Sequence, residues 1–287
     1  MRISRWKDER KGDFMKRKAV NVIRYLIFLL LMIVILFPLG FIFAASFKSN
    51  TEIFNSPWGL PEEISLKGYQ AIIETYNIGR NLINSLLYST GSCVVSIAVA
   101  SMASYAITRM RWKFSKAALN YLLLGIMVPI HSLLVPLYIS VSKLGLPNPG
   151  ALLLIYIAGA IPTAVFIMTG FLESVPYELE EAAVIDGASI KKCFFSIILP
   201  LLKPSIATVG ILTFMNVWND LLMGLIFLRN QKHYTIQLFI AQFKGDHATN
   251  YPVLLASIIF SAIPMIMIYL VMSDRLIDGI TQGAVKG

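Results

Sequence analysis

The sequence predicts an all-α fold, a polytopic membrane protein with six transmembrane helices and one cytoplasmic loop that carries helices of its own. Three observations predict it. First, 56% of the 287 residues are hydrophobic and only 14% are charged, where a soluble domain carries about 25% charged residues; mean hydropathy is +0.69. Second, the charges fall in bunches that leave long apolar stretches between them. Third, these bunches alternate between strongly and weakly basic. Such a composition excludes a disordered chain and argues against an ordinary cytosolic enzyme.

The first element is a tail, residues 1–24, holding Arg2, Arg5, Lys7, Arg10, Lys11, Lys16, Arg17, Lys18 and Arg24. With a formal net charge of +9, a nucleic-acid arm is one reading. An apolar run follows at once, so the segment reads instead as a juxtamembrane anchor that meets anionic membrane lipid, and no nucleic-acid partner is expected.

A helix rises about 1.5 Å per residue, so roughly 20 apolar residues cross a hydrocarbon core about 30 Å thick. Six stretches reach that length: residues 25–47, 81–107, 117–139, 150–172, 205–228 and 251–272. The first contains Phe43-Ala44-Ala45-Ser46, which resembles a cleavage site. The run is longer than a signal-peptide core of about 7–15 residues, so it is expected to stay as a signal anchor. The second presents Gly91, Ser92, Ser96, Ala98, Ala100, Ser101, Ala103 and Ser104, a surface of small residues on which helices approach closely. Pro38 and Gly40, Pro129 and Pro136, Gly159 and Pro162, and Pro264 predict helix interruptions in the first, third, fourth and sixth stretches. The fifth is interrupted only by Asp220. A short tail, residues 273–287, closes the chain.

Basic connections stay on the cytoplasmic side of a membrane. With the N-terminus inside, only Lys48, Lys67, Arg80, Lys143, Arg229, Lys232 and Lys244 of the 25 Lys and Arg fall outside. Both termini are therefore expected in the cytoplasm. The outside connections are Lys48 to Arg80, with Pro57, Trp58 and Pro61 near its start and a helix expected around Leu66 to Tyr76, and Arg229 to Asn250, with Tyr234, Gln237, Gln242 and Asp246. Trp58 suits an interfacial aromatic anchor.

Metal and redox chemistry find no footing. Cys93 falls in the second span and Cys193 in a cytoplasmic loop, on different levels, so they are not expected to pair. His131, His233 and His247 are scattered without metal-ligand spacing, and His131, between Pro129 and Pro136, reads as a packed side chain.

The loop of residues 173–203 has its own order. Pro176 suits a first helical turn, and Glu178, Glu180 and Glu181 place negative charge at the positive end of the helix dipole. Gly187 can take the left-handed conformation that stops this helix, and Ser189 can cap the next. Lys191 and Lys192 open that second helix, and Pro200 and Pro204 are expected to end it. Ala182 and Ala183 leave room for a partner's backbone or aromatic side chains. A projecting helical hairpin of this kind reads as a docking lever.

The spacing Glu181-Ala182-Ala183, then Gly187, then Ile197 and Leu199-Pro200 resembles the cytoplasmic EAA loop of permease subunits in binding-protein-dependent ABC importers. Trp218-Asn219-Asp220 and the C-terminal Gly283 to Gly287 extend the resemblance over nearly the whole chain, to the shorter, six-span permease of maltose-type carbohydrate importers. The resemblance implies a coupling role for Glu181, Ala182, Ala183, Asp186, Gly187, Ile197, Leu199 and Pro200. It also implies the partners: two ATPase subunits, a second homologous permease, an extracytoplasmic solute-binding protein and a sugar substrate. The expected location is a bacterial-type cytoplasmic membrane. The chain itself lacks G-x-x-x-x-G-K-[ST], so no cofactor is expected on it, and ATP and Mg are expected on the partner ATPases. It is not expected to be an enzyme.

In the fifth span Thr213, Asn216, Asn219, Asp220 and Met223 recur at helical steps and share one face. An intramembrane carboxylate costs roughly 3 kcal/mol to insert and faces water or a partner. Thr213, Asn216, Asn219 and Asp220 can line a substrate pathway by hydrogen-bonding sugar hydroxyls, or can hold helices together; the spacing alone is compatible with both. Trp218 lies about 200° from Asn216 around the helix and is not placed to stack on a solute held there. The alternatives are a permease for a non-sugar solute, an ion-coupled secondary transporter and an intramembrane enzyme. The second wants a carboxylate relay, and Asp220 stands alone within the spans. The third wants paired carboxylates or a nucleophile with its base, and no such motif is present.

Overall fold

The structure is a computed structural model that describes residues 2–110, 112–146, 148–243 and 250–284. Asp246 and Lys244 of the Arg229–Asn250 connection, and Val285 to Gly287 of the C-terminal feature, lie outside the described residues. Every described element is helical: α1 (Arg2–Ala45), α2 (Asn50–Asn55), α3 (Lys67–Gln70), α4 (Ile78–Arg109), α5 (Ser115–Met127), α6 (Leu134–Lys143), α7 (Asn148–Leu172), α8 (Glu178–Ile185), α9 (Ile190–Cys193), α10 (Leu199–Leu201), α11 (Lys203–Trp218), α12 (Leu222–Phe227), α13 (Ile236–Ala241) and α14 (Tyr251–Ala284). Among the described residues, four helices are long and apolar enough to cross a membrane, and two bent helix pairs raise that to six if each pair is one span.

The prolines do not all act alike. α1, α7 and α14 run straight through Pro38, Pro162 and Pro264. The third apolar stretch instead breaks, with Ser115–Met127 and Ile130–Lys143 at 85° to each other. Val128, the residue before Pro129, is extended at φ −94° and ψ 114°, the conformation that a following proline imposes. A 3-10 turn, Ile130–Leu133, restarts the chain. Pro136 then falls in the first turn of α6, where its missing donor costs nothing. Two glycines, Gly159 on α7 and Gly125 on α5 itself, let the arms of this break pack closely on α7. A Cβ on Gly159 would lie 2.6 Å from Ile130 Cδ1, and one on Gly125 would lie 2.7 Å from Pro162 Cγ.

α4 is the spine. Ser85, Ser89, Ser92, Ser96, Ala100 and Ser104 are buried at three- and four-residue steps, which form one helix face. A Cβ on Gly91 would already lie 3.4 Å from Leu153 Cδ1 of α7. Ser104 donates to Val165 O across the same contact at 3.4 Å. Ala98, expected with this small-residue surface, is exposed instead.

α1 is the outlier. Its Val20–Ala45 stretch, with a mean hydropathy of 3.1, is exposed along nearly all of its length, and only its end, near the buried Ala45, meets the rest of the protein. A helix apolar on all sides and so little covered suits lipid as its solvent. It touches the bundle through Phe37 and Phe41, whose rings lie 6.2 and 5.1 Å from that of Trp58. Trp58 thus ties the loop back to α1.

At the end remote from the hairpin, the chain between α1 and α4 folds onto α14. α3 continues as a π turn, Ala71–Thr75, and covers the expected helix around Leu66 to Tyr76. Lys48 is buried and donates to Ser56 O at 2.7 Å. Gly68 permits close approach: a Cβ there would meet Pro252 O at 2.5 Å. Gly68→Ala is therefore expected to push α3 off α14 at a cost of about 1–3 kcal/mol, read as a lower unfolding temperature of the detergent-solubilised protein.

Candidate functional site

Two features stand out, a hairpin beyond the ends of α4 and α7 and a cavity within the bundle whose largely apolar wall carries several polar side chains. The hairpin follows local rules. Glu178, Glu180 and Glu181 occupy the first turn of α8, Gly187 takes φ +81° at its end, and the Ser189 hydroxyl accepts from Lys192 N to cap α9. Pro200 does not stop the second arm. It sits in α10, and after Leu202 the chain turns by 70° into α11, whose first turn contains Pro204. Pro204 occupies a first-turn position where no donor is needed.

The residues of the EAA spacing face outward. Glu181, Ala182, Asp186, Gly187 and Pro200 are exposed, and Ala183, Ile197 and Leu199 are half-buried. Around them an apolar surface lies open: Leu179, Val184, Ile190 and Phe195 are exposed, and Ile185 is 85% exposed. Different residues hold the base. Phe194, Ile198 and Leu202 bury against Tyr105 and Leu172. Arg109 Nε lies 3.0 Å from Glu180 Oε1, with the two side chains only 3% and 14% exposed. Tyr105 donates to Glu180 Oε2 at 3.1 Å. Arg109 Nη2 donates to Leu172 O at 2.8 Å and Val175 O at 2.7 Å, and its guanidinium lies 3.9 Å from the Tyr177 ring centroid.

The cavity, of about 330 Å³, opens between α7, α11 and the Pro129 break. Thr213, Asn216 and Asp220 line it together, joined by Tyr156, Thr163 and His131. Asn219, the exposed C-cap of α11, does not line it. Asp220 Oδ1 accepts from Tyr156 OH at 2.9 Å and from the backbone N–H groups of Met223 at 3.0 Å and Gly224 at 3.4 Å. It thereby satisfies donors that the restart of the helix as α12 leaves open. Trp218 turns away from the cavity, 1% exposed, stacked on Phe214 at 5.4 Å and donating to Ser261 O at 3.2 Å.

The sequence reading missed Arg109, Tyr105, Tyr177, Tyr156 and Thr163 as site residues. Arg109 counted only as an inside charge. Tyr105 and Tyr156 sit in apolar helices where their spacing marks nothing, and Tyr177 sits in the loop just before α8.

At the remote end, the connection after α12 is clamped onto α4. Asn81 and Asn84 donate to Tyr234 O at 3.1 and 3.0 Å, and Ser85 Oγ accepts from Ile236 N at 2.8 Å. Arg229 donates to the Tyr138 hydroxyl.

Long apolar helices with exposed apolar surfaces, a cavity carrying several polar side chains between them and an exposed helical hairpin at one end fit a membrane transport subunit. Residues 92–281 match the family described as the binding-protein-dependent transport system inner membrane component, and the chain belongs to that family: it is a permease subunit of an ABC importer. The melibiose/raffinose/stachyose import permease protein MelC of Bacillus subtilis is 34% identical over 252 residues, 87% of this chain and 91% of MelC. The multiple sugar-binding transport system permease protein MsmG of Streptococcus mutans is 34% identical over 258 residues, 88% of this chain and 93% of MsmG. Among solved structures, a chain of a bacterial ABC transporter involved in the import of the acidic polysaccharide alginate superposes with a TM-score of 0.80 at 20% identity, covering 90% of this chain and 96% of that one. That similarity establishes a shared fold.

Because Asp220 caps α12, Asp220→Ala is expected to cost about 0.5–2 kcal/mol and Tyr156→Phe about 0.5–1.5 kcal/mol, both read as falls in unfolding temperature. The two act on one oxygen, so the double variant is expected to lose less than the sum of the singles.

Proposed function

We propose that this permease carries a sugar or oligosaccharide, and that its 173–203 hairpin receives the movement of separate ATPase subunits. The observation that carries the coupling reading is the contrast within the hairpin: a base fixed by buried contacts and an apolar tip, Val184, Ile185, Ile190 and Phe195, left open. Exposed apolar side chains grouped in this way mark a protein contact. Glu181, Ala182, Ala183, Asp186 and Gly187 border that tip and are the residues expected at the interface, with Ile197, Leu199 and Pro200 supporting it from the second arm.

ATP and Mg are bound by the ATPase pair, and this chain performs no hydrolysis. A second, homologous permease completes the pathway. The hairpin lies in the cytoplasm with both termini, a reading supported by the placement of Lys and Arg. The Arg229–Asn250 connection then faces outward, toward an extracytoplasmic solute-binding protein. One structural relative is a bacterial alginate ABC transporter in complex with an alginate pentasaccharide-bound periplasmic protein, at a TM-score of 0.62 and 17% identity over 86% of this chain and 92% of that one.

The sugar assignment rests on the cavity together with the names of the relatives. Thr163, Thr213, Asn216 and Asp220 supply donors and acceptors without a cation, suited to a polyhydroxylated solute. Asn219 belongs to the pathway only if the partner permease brings solute to its exposed face. An ion-coupled mechanism is disfavoured because Asp220 Oδ1 is already committed to three donors.

Uptake of labelled oligosaccharide into proteoliposomes holding the whole complex tests this reading. It is expected to require ATP and to ignore collapse of ion gradients; uptake that follows an ion gradient without ATP contradicts it. Ala182→Trp blocks the docking face, and Gly187→Pro cannot adopt φ +81° because proline is confined near about −65°. Both are expected to insert normally and to lose coupled uptake by roughly tenfold or more, within the range of measured coupling energies.

A further inference from the structure

The hairpin is joined by the chain itself to α7 before it and α11 after it, so any push on its tip reaches those two helices directly. α4 has no such connection. It enters the sequence long before the hairpin and meets it only through side chains.

Those side chains are arranged around one guanidinium. Arg109, the last residue of α4, makes an ion pair with Glu180 of α8 at 3.0 Å. The same group donates to Leu172 O and Val175 O, at the end of α7 and just beyond it, and stacks on Tyr177 at the start of α8. The contacts are reciprocated: Tyr105, one turn back on α4, donates to the other Glu180 oxygen, and Tyr177 OH donates to Thr108 O at 3.1 Å. Arg109 thus holds α4, α7 and the hairpin at one point. Its planar fork can bond a carboxylate and two carbonyls at fixed angles, which a lysine ammonium cannot copy.

We propose that Arg109 and Glu180 are positioning residues of the transport cycle, a buried strut that makes α4 and α7 move as one body with the hairpin. The inference rests on the coupling role proposed above for the hairpin. Packed elements joined in this way shift as units and do not deform continuously. The movement has a route to the cavity. α4 and α7 share the Ala100, Ala164, Val165 and Met168 contact, and Tyr156 of α7 holds Asp220 at the break between α11 and α12. Displacing α7 therefore displaces the donor that fixes Asp220.

The test is the number of sugar molecules taken up per ATP hydrolysed, measured in proteoliposomes of the whole complex. The variants are Glu180→Gln, Arg109→Lys and Tyr105→Phe. The strut predicts that ATP hydrolysis stimulated by the binding protein persists while uptake per ATP falls, by roughly tenfold for Glu180→Gln, inside the ~5–150-fold span of typical coupling energies. Arg109→Gln/Glu180→Gln is expected to lose no more than Glu180→Gln alone, because the double change leaves no unpaired buried charge. Tyr105→Phe removes one hydrogen bond without exposing a charge, so it decides the matter if Glu180→Gln does not assemble; a loss of about two- to tenfold in uptake per ATP is expected from one bond of ordinary strength. Unchanged uptake per ATP in Tyr105→Phe and Arg109→Lys overturns the strut. So does a parallel fall of hydrolysis and uptake, which marks a residue that merely keeps the fold. Failure of the hairpin reading itself would look different, because uptake by the unaltered complex would then not depend on ATP.

Discussion

The structure turns on a buried ion pair. Arg109 and Glu180 sit at the junction of α4, α7 and α8, with the Arg109 side chain almost wholly out of solvent. Removing one member of such a pair typically costs about 3–5 kcal/mol, because the other charge is left buried without a partner. Neighbouring groups spread that charge: two backbone carbonyls and the Tyr177 ring on the arginine, the Tyr105 hydroxyl on the glutamate. The consequence is mechanical as well as energetic. The hairpin base cannot move far without moving α4, so its tip is free to meet a partner while its root stays fixed.

A second constraint comes from the apolar surroundings, where a freed backbone group must find a partner inside the protein. The helices break in two places next to the cavity, and each break is managed. At Pro129 the chain restarts through a 3-10 turn whose Ile130 lodges against Gly159. At Asp220 the carboxylate takes up the open N–H groups of Met223 and Gly224. The breaks bring His131 and Asp220 to the same cavity, so the polar lining and the interruptions have a common origin.

Much of this was legible in the sequence where the signal is local. The apolar runs stand out by composition, and the hairpin's turn could be placed because Gly187 and Ser189 carry their conformations in their own chemistry. Thr213, Asn216 and Asp220 were read from helical spacing and do meet at the cavity. Asn219 shares the three-residue step but stays outside the cavity: at about 100° per residue it falls on the side of Asn216 away from Thr213 and Asp220. The prolines show the limit of local reading. Pro129 breaks its helix and Pro162 does not, and nothing in the flanking sequence separates the two. Arg109 and Glu180 were unreadable as a pair, since nothing near either residue announces a partner so far along the chain.

The most direct test of this account is the distance between spin labels at Ile185, on the hairpin tip, and Met102, on the lipid-exposed face of α4, measured in the whole complex with and without ATP. If the buried pair welds the two into one body, that distance stays constant through the cycle. A distance that changes on ATP binding, as it would if the hairpin swung free of α4, contradicts the account.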